Sequence, residues 1–218
     1  EDQITRREEK MCIDTLFKGE IHVKGEGVDD KITYGTITEI SPAILWNAPN
    51  ADIVGDINAA ITQMGEETGL RPELILMDPV AGKLFMDNEK IQKLMDLKNY
   101  NIGEISPKEL PSGVIYLGTL APYQLPIYTY QTQYQVLSDD GKTYTTEKLI
   151  PEGRVLLAPS INEMHYGSAA DIDKGIIVAK RVPFEDKDTK SNSMEIRTES
   201  RPLPVPYDIA AIKILKVK

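Results

Sequence analysis

The order of apolar and polar residues predicts a helix followed by a β-hairpin at the start of the chain. Over residues 3–17 the apolar side chains recur with the spacing of one helix face, and charged side chains occupy the opposite side. Gly19 ends this helix, as glycine commonly does. Residues 20–24 and 31–40 then alternate apolar and polar positions, as half-buried strands do. We expect these two segments to pair across the Gly-containing turn between them.

The next part of the chain has the pattern of helices packed on a buried strand. Helical spacing resumes at Asp52 and ends at Gly65 and Gly69, and residues 73–77 form a nearly all-apolar strand. Asp78 followed by Pro79 is a strong helix start, because Asp accepts from free backbone N–H groups and Pro is tolerated in the first turn. Asn88 predicts the start of another helix in the same way, and this helix is expected to reach residue 97. A boundary between domains is expected at residues 41–50, which contain two prolines and Trp46.

The second half of the chain is predicted to be mainly β-structure. Residues 100–112 are interpreted as a polar connection, residues 161–170 as a loop or partial strand, and the charged residues 185–193 as an exposed turn or mobile loop. The proline-rich residues 201–206 should be extended, because each proline excludes helix for itself and disfavours it for its predecessor. The predicted strands are residues 113–119, 125–130, 134–137, 142–149, 154–158, 176–182, 194–198 and 210–217. Residues 138–141, Ser-Asp-Asp-Gly, are a hairpin turn signal. The pattern therefore favours an α+β fold.

Composition narrows the classes of function. Of 218 residues, 41% are hydrophobic, which is enough for a packed core. The chain has 34 acidic and 25 basic residues and a net charge of -9, which opposes non-specific binding to nucleic acid or to an anionic membrane. Its single cysteine, Cys12, excludes an intramolecular disulfide. No apolar run approaches the roughly 18 residues of a membrane span.

Candidate chemistry is sparse. Nucleophilic catalysis needs an activated serine or cysteine beside a base, and the only two histidines, His22 and His165, fall in a predicted strand and in a Gly-containing loop, so a catalytic triad is not expected. Cys12 lies on the apolar side of its helix, where a small buried hydrophobe is the simpler interpretation. Gly25 and Gly27 lack the third glycine and the following helix of a phosphate-binding loop. We therefore predict no catalytic residue, no cofactor site and no metal site.

Several short motifs follow one another in an order that resembles a known family. They are Arg-Glu-Glu-Lys-Met at 7–11, Leu-Phe-Lys-Gly-Glu-Ile at 16–21, Trp46 with Pro-Asn-Ala-Asp at 49–52, Gly-Leu-Arg-Pro at 69–72, Gly-Val-Ile-Tyr-Leu-Gly at 113–118, Ile127 and Tyr128 before Asp140 and Gly141, Arg-Val-Leu-Leu at 154–157, Tyr-Gly at 166–167 and Leu-Pro-Val-Pro at 203–206. Together they resemble the lambda-type major capsid protein family of tailed phages, the phage capsid protein E family. The resemblance covers nearly the whole chain.

The resemblance implies the tailed-phage major capsid fold. Residues 1–50 would be the end of the spine helix and the hairpin of a peripheral domain. Residues 51–200 would form an axial domain, a central sheet flanked by helices, and residues 201–218 would return as a strand to the peripheral domain. The family's N-terminal arm and extended loop have no counterpart before Glu1, so the chain is expected to be an N-terminally truncated form.

The implied function is structural and not enzymatic. The chain would self-assemble into an icosahedral shell enclosing DNA, with itself as partner in pentamers and hexamers and with decoration, scaffold and portal proteins as further partners. It would bind no nucleic acid sequence-specifically and no membrane, and it would be made in the host cytoplasm and located in the virion of a phage or prophage. A shell that holds DNA without adhering to it benefits from acidity. The predicted subunit-contact residues are Arg6, Arg7, Glu8 and Glu9 on the exposed side of the first helix, and Asn162, His165 and Tyr166 in a loop similar in position to the family's ring-centre loop.

Two other classes of function stay open from the residues alone. The tyrosines at 123, 128, 130 and 134 can form an aromatic face for carbohydrate, so a small-molecule or carbohydrate binding α/β domain is the first alternative. Because 34 acidic residues allow many carboxylate pairs, a carboxylate-based hydrolase is the second.

Overall fold

The fold is known from a computed structural model. It describes residues 2–25, 28–96, 103–110, 113–121, 123–137, 143–160, 162–171, 175–188 and 193–218. Within these residues it contains four α-helices and seventeen strands, in agreement with the predicted α+β class.

The chain begins with helix α1 (Asp2–Lys18) and the antiparallel hairpin of β1 (Glu20–Gly25) and β2 (Val28–Thr33), as predicted. Gly19 joins them with a φ of +68°, and a Cβ atom there would lie 2.3 Å from a backbone oxygen of Gly35. Only glycine avoids both the strained conformation and this collision.

A seven-stranded mixed sheet forms the centre of the molecule. Its order is β3-β17-β10-β4-β7-β6-β5, with β3 parallel to β17, β4 parallel to β7, and every other neighbour antiparallel. The strands are β3 (Thr38–Ile40), β4 (Leu74–Met77), β5 (Gly103–Leu110), β6 (Val114–Leu120), β7 (Leu125–Tyr130), β10 (Arg154–Ala158) and β17 (Lys213–Lys216). Four of the predicted strands therefore meet in one sheet together with the C-terminal strand.

Three helices cover one face of this sheet: α2 (Ile53–Thr68), α3 (Pro79–Asp87) and α4 (Glu89–Asp96). The predicted start of α3 is confirmed, since the carboxylate of Asp78 accepts from the backbone N–H groups of Val80 and Ala81, both at 3.0 Å. Asn88 begins α4 in the same way by accepting from Lys90 and Ile91 N–H groups. Residue 97, the predicted end of that helix, lies outside the described residues.

The alternation of side chains along β10 divides the core into two layers. Val155 and Leu157 join the larger cluster with the three covering helices, whereas Leu156 and Ala158 join a second cluster with helix α1. All four side chains are buried. Strand β10 is thus enclosed between helices on both faces, which explains its nearly continuous apolar sequence.

The remaining strands pair as two-stranded ribbons. They are β8 (Gln133–Leu137) with β9 (Tyr144–Lys148), β11 (Asn162–Tyr166) with β16 (Pro202–Pro206), β12 (Ser168–Asp171) with β13 (Gly175–Val178), and β14 (Val182–Asp188) with β15 (Ser193–Glu199). The predicted β8–β9 pairing is confirmed, although its turn at residues 138–141 lies outside the described residues. The proline-rich segment is extended, as predicted, and a short 3₁₀ helix (Ile209–Ala211) follows it.

Several predicted elements differ from the structure. The single strand over residues 176–182 is wrong, because β13 ends at Val178 and β14 begins at Val182 with a different partner. The single strand over residues 31–40 is wrong, because β2 ends at Thr33 and a separate β3 joins the central sheet. The polar connection at residues 100–112 is also wrong, because it contains β5, an edge strand whose register shifts between Ile105 and Lys108 around Pro107. The exposed turn at residues 185–193 is wrong in its first part, which continues β14.

The strands of the central sheet come from all three predicted segments of the chain. Strand β3 precedes residue 50, and β17 follows residue 200. The C-terminal strand lies inside the central sheet, between β3 and β10. The division into residues 1–50, 51–200 and 201–218 stays a prediction.

Candidate subunit-contact surfaces

The charged residues of helix α1 do not share one environment. Arg6 is exposed, Arg7 and Glu9 are half-buried, and Glu8 is only 8% exposed. The hydroxyl of Tyr130 donates a hydrogen bond to Glu9 Oε2 at 3.2 Å. The placement of Glu8 on the solvent side of the helix is therefore wrong, because other elements pack over that side.

Glu8 is covered because it pairs with Arg181, which follows strand β13. Arg181 Nη1 donates to Glu8 Oε1 at 2.6 Å, and Arg181 Nη2 donates to Glu8 Oε2 at 3.3 Å. The same guanidinium donates to the hydroxyl oxygens of Thr5 and Ser200. This pair is bidentate, because two N–H groups of the planar guanidinium each bind one carboxylate oxygen. The sequence showed no sign of the pair, whose members are 173 residues apart.

The other three predicted contact residues lie on strand β11. Asn162 pairs through its backbone with Pro206, and its side chain lies outside the described residues. His165 is exposed and its Nε2 lies 3.0 Å from Glu163 Oε2, whereas Tyr166 is half-buried. Residues 162–166 are thus a paired strand, the partial strand of the sequence interpretation, with alternate side chains on opposite faces.

An apolar groove runs between helix α1, the face of the central sheet and strand β11. Its volume is about 630 Å³, and we call it the α1 groove. Its walls include Cys12 and Ile13 of α1, Leu74 and Leu76 of β4, Tyr128 of β7, and Met164 of β11. The half-buried side chains of β4 and β7 form its floor. Val114 of β6 and the exposed Lys180 also line it. No sequence signal pointed to the groove, because elements distant in sequence form its walls.

Cys12, the only cysteine of the chain, lies on the wall of this groove. Burial raises the pKa of its thiol, and the negative charges of Glu8 and Glu9 raise that pKa further. A protonated thiol is a weak nucleophile, so Cys12 has the character of a half-buried apolar side chain, as its position on the helix predicted.

The ribbons β12–β13 and β14–β15 form a small unit, which we call the hairpin module. Ala169, Val182 and Phe184 are buried together between the two ribbons. The opposite faces of the ribbons are unusually apolar for exposed strands. They expose Ile176 (79%), Val178 (67%), Met194 (56%) and Ile196 (64%). Exposed apolar side chains clustered in this way are typical of contact surfaces.

Elsewhere the described residues show structural pairings and no cluster of catalytic type. No group of three potential metal ligands occurs among them, and none of their helices is long and apolar enough to cross a membrane. His22 pairs with Asp29 across the exposed β1–β2 hairpin at 2.5 Å. The fully buried Lys213 donates to Glu67 of α2, and this hydrogen bond lowers the pKa of the Glu67 carboxyl.

The tyrosines considered as a carbohydrate face are dispersed. Tyr128 and Tyr130 contribute to the α1 groove. The ammonium group of Lys10 lies 5.5 Å from the ring centroid of Tyr134, and the guanidinium of Arg71 lies 5.9 Å from that of Tyr123. The four rings therefore do not form one continuous aromatic face.

The chain is similar to known proteins in both sequence and structure. The family model described as phage major capsid protein E matches residues 1–217. Among solved structures, a protein assigned as the capsid protein of a prophage of E. coli CFT073 superposes with a TM-score of 0.74 at 20% identity, over 99% of this chain and 64% of that protein. A phage-related protein of Bordetella bronchiseptica RB50 is 10% identical over 82% of this chain and 55% of its own, and its TM-score of 0.49 is too low to bear on the fold. Curated protein sequences gave no significant match.

Proposed function

The chain belongs to the phage major capsid protein E family, and from this premise we propose that it is a shell subunit that self-assembles into an icosahedral phage head enclosing DNA. The observation that carries the proposal is the family match over residues 1–217, together with the fold shared with the prophage protein. The chain spans 64% of that protein's length.

The construction of the core supports a structural role. The central sheet has α1 on one face and α2, α3 and α4 on the other, and its strand β10 is buried on both faces. A sheet held between two helical layers resists deformation, because packed interiors have low compressibility. Such a body suits a subunit that must keep one shape through many identical contacts.

The surface charge supports the enclosure of DNA without tight adhesion. A net charge of -9 opposes non-specific binding to the phosphates of DNA. The partners of this function are other copies of the chain in rings of five and six, with decoration, scaffold and portal proteins added during assembly. The protein is then made in the host cytoplasm and ends in the virion, and it carries out no catalysis.

Electron microscopy of the purified full-length gene product tests this proposal. We expect rings, tubes or closed shells at high protein concentration, because repeated subunit contacts of one kind generate closed or helical assemblies. Sedimentation velocity of the same sample should show large particles in exchange with small species. A protein that stays monomeric under every salt and concentration condition contradicts the proposal.

A further inference from the structure

The two-stranded sheet of β11 and β16 has one closed edge and one open edge. The Gly167 N–H donates to the Arg201 carbonyl at 2.8 Å, and these two residues lie opposite each other one step beyond the paired strands. In an antiparallel pair of strands, opposite residues exchange hydrogen bonds at every second position. The hydrogen-bonded positions of β11 are therefore Glu163 and His165.

Prolines close the outer edge of β16. Pro202, Pro204 and Pro206 occupy the alternate positions whose backbone groups point away from β11, and proline has no N–H to offer there. The Pro204 carbonyl on this edge accepts a hydrogen bond from the hydroxyl of Tyr34 at 2.6 Å. A further strand cannot form a regular ladder with this edge.

The outer edge of β11 carries no such block. The backbone N–H and C=O groups of Met164 and Tyr166 point away from β16, because these residues hold the positions between the hydrogen-bonded pairs. Within the part of the chain that the structure describes, only β16 pairs with β11, and neither residue has a backbone hydrogen bond on this outer side. An unpaired edge of this kind is a template for another strand.

We propose that the open edges of two copies pair with each other, β11 antiparallel to β11, about a two-fold axis at Met164. The two-stranded sheets of the two copies then become one continuous sheet with the order β16-β11-β11-β16. This inference rests on the proposed function, since a shell subunit must contact other copies of itself. Two-fold contacts, in which one surface meets the same surface of a second copy, are the commonest between identical chains.

The side chains of β11 select this register. With the axis at Met164, each Glu163 lies opposite His165 of the second copy, on the face where both side chains are exposed. An imidazole N–H donates to a carboxylate, and a protonated imidazole adds an ion pair. Moving the axis by one residue would place Glu163 opposite Glu163, or His165 opposite His165. Met164 is also the middle residue of β11, so this register pairs the strand over its full length.

The contact extends a pair that already exists within each copy. His165 Nε2 lies 3.0 Å from Glu163 Oε2 of the same strand, and both side chains are more than half exposed. Across the two-fold axis, two such pairs stand side by side as alternating carboxylates and imidazoles. Each imidazole then has one carboxylate on its own strand and one on the facing strand. The pairing therefore leaves no unpaired charge at its centre.

Mixed disulfides test the register. In the full chain with Cys12→Ser, one sample carries Glu163→Cys and a second, marked by an affinity tag, carries His165→Cys. After mixing, assembly and mild oxidation, a disulfide should join the two variants, because the two thiols are directly opposite each other. Each variant alone should give little dimer. Its equal positions are then diagonal neighbours roughly 7–8 Å apart, a distance that a disulfide does not span.

The matched control uses the closed strand of the same sheet. Val205 and Leu203 lie opposite Glu163 and His165 and have the same spacing. Mixing Val205→Cys with Leu203→Cys, again with Cys12→Ser, should give no mixed dimer above background, since the proline edge of β16 offers no ladder. Peptide mapping by mass spectrometry identifies the joined residues. Equal yields from both mixtures, or no mixed disulfide from the β11 variants in samples that self-associate, overturn the inference.

A proline at the centre of β11 tests the backbone hydrogen bonds. Met164→Pro removes an N–H that the β11–β16 ladder does not use, so its urea unfolding midpoint should stay close to that of the control Met164→Ala. Its self-association should be weaker than that of Met164→Ala by about tenfold or more, because two symmetric hydrogen bonds across the axis are lost. Equal self-association of the two variants overturns the inference. Loss of folding in Met164→Pro alone does so too, because this N–H would then already have a partner.

The outcomes separate this inference from the proposed function. Shells without the mixed disulfide contradict only the β11 contact. Mixed disulfides without any shell, ring or tube support the contact and contradict the shell function. A chain that never associates contradicts both.

Discussion

At the scale of single residues, the interior of this fold leaves little free space between helix α3 and strand β7. A Cβ atom added to Gly82 would lie 2.2 Å from the Cγ2 methyl of Thr129. Gly82 is buried in the middle of α3, although glycine is a poor residue for a helix interior. The glycine is therefore explained by the close approach of the helix to the sheet.

This close approach predicts the effect of Gly82→Ala. The substitution should lower the free energy of unfolding by about 2 kcal/mol, because overpacking outweighs the gain of about 1 kcal/mol in helix propensity. Urea denaturation measures the loss. Combining it with Thr129→Ser, which removes the opposing methyl, should restore part of the stability, and Thr129→Ser alone is the control. A more stable Gly82→Ala protein would contradict the packing.

Ile75 tests the position of the core. It is fully buried in β4, so Ile75→Asp should abolish cooperative folding by burying an unpaired charge. The control Ile75→Val should cost only about 1 kcal/mol. Circular dichroism during urea titration distinguishes the two. A soluble and cooperatively folded Ile75→Asp protein would show that the core has been misplaced.

The Glu67 and Lys213 pair predicts a dependence of stability on pH. The hydrogen bond from Lys213 lowers the pKa of Glu67 in the folded state, so ionised Glu67 stabilises the fold above the unfolded pKa, and this stabilisation is lost as the pH falls through the folded pKa. Glu67→Gln should therefore be less stable than the wild type above about pH 5, with a difference that shrinks toward lower pH.

Urea unfolding of both proteins between pH 3 and pH 7 measures this dependence on roughly the range where carboxylates titrate. Glu66→Gln, on the neighbouring exposed residue, is the matched control and should leave stability unchanged. A constant difference across the whole range would contradict a role for the charge of Glu67.

At the scale of elements, the hairpin module is joined to the body through a few polar contacts at its base. Arg181 binds Glu8 of helix α1, Ser200 donates to the Lys180 carbonyl at 2.8 Å, and the Gly167 N–H donates to the Arg201 carbonyl at 2.8 Å. The module's own apolar cluster is small. Its orientation should therefore depend strongly on the polar contacts.

Arg181→Ala tests this dependence. It leaves the Glu8 carboxylate buried without its guanidinium, which should cost about 2 kcal/mol. Hydrogen exchange should accelerate in β12–β15 more than in the central strands β4 and β10. The control Arg6→Ala, at an exposed position of α1, should change stability by less than about 0.5 kcal/mol. Equal acceleration throughout the chain would contradict a local role.

Elements with local signals were predictable from the sequence. Asp78 and Asn88 each cap a helix by bonds that span two or three residues, so the sequence alone contains the whole interaction. Strand β10 was predicted at its observed bounds because both its faces are buried, which produces a continuous apolar run.

Features that depend on distant contacts were not predictable. The edge position of β5 permits Pro107, which on its own favours a connection. In the sequence, Glu8 has the pattern of an ordinary surface charge, because its partner Arg181 lies 173 residues later. The α1 groove requires α1, β4, β7 and β11 to be assembled before it exists. The subunit contacts suggested on α1 and β11 stay predictions, and the groove between them was not predicted.

At the scale of the whole molecule, the fold combines a packed central body with an open groove and an exposed apolar hairpin module. The central sheet is held between two helical layers, and the most exposed apolar strand residues lie away from it on the hairpin module. Both surfaces lie within residues 1–217, which the family model of phage major capsid protein E matches. The family and the fold support the proposal that this chain is the shell subunit of a phage particle.

Quantitative mass spectrometry of purified, DNA-containing phage particles from the host that carries this gene provides the decisive test of this proposal. Peptides of this chain should be the most abundant in the particles, because a shell needs many copies of one subunit. Peptides should come from both the hairpin module and the central sheet. Particles that contain DNA and a different major shell protein, with no peptide of this chain, would contradict a shell role for this protein.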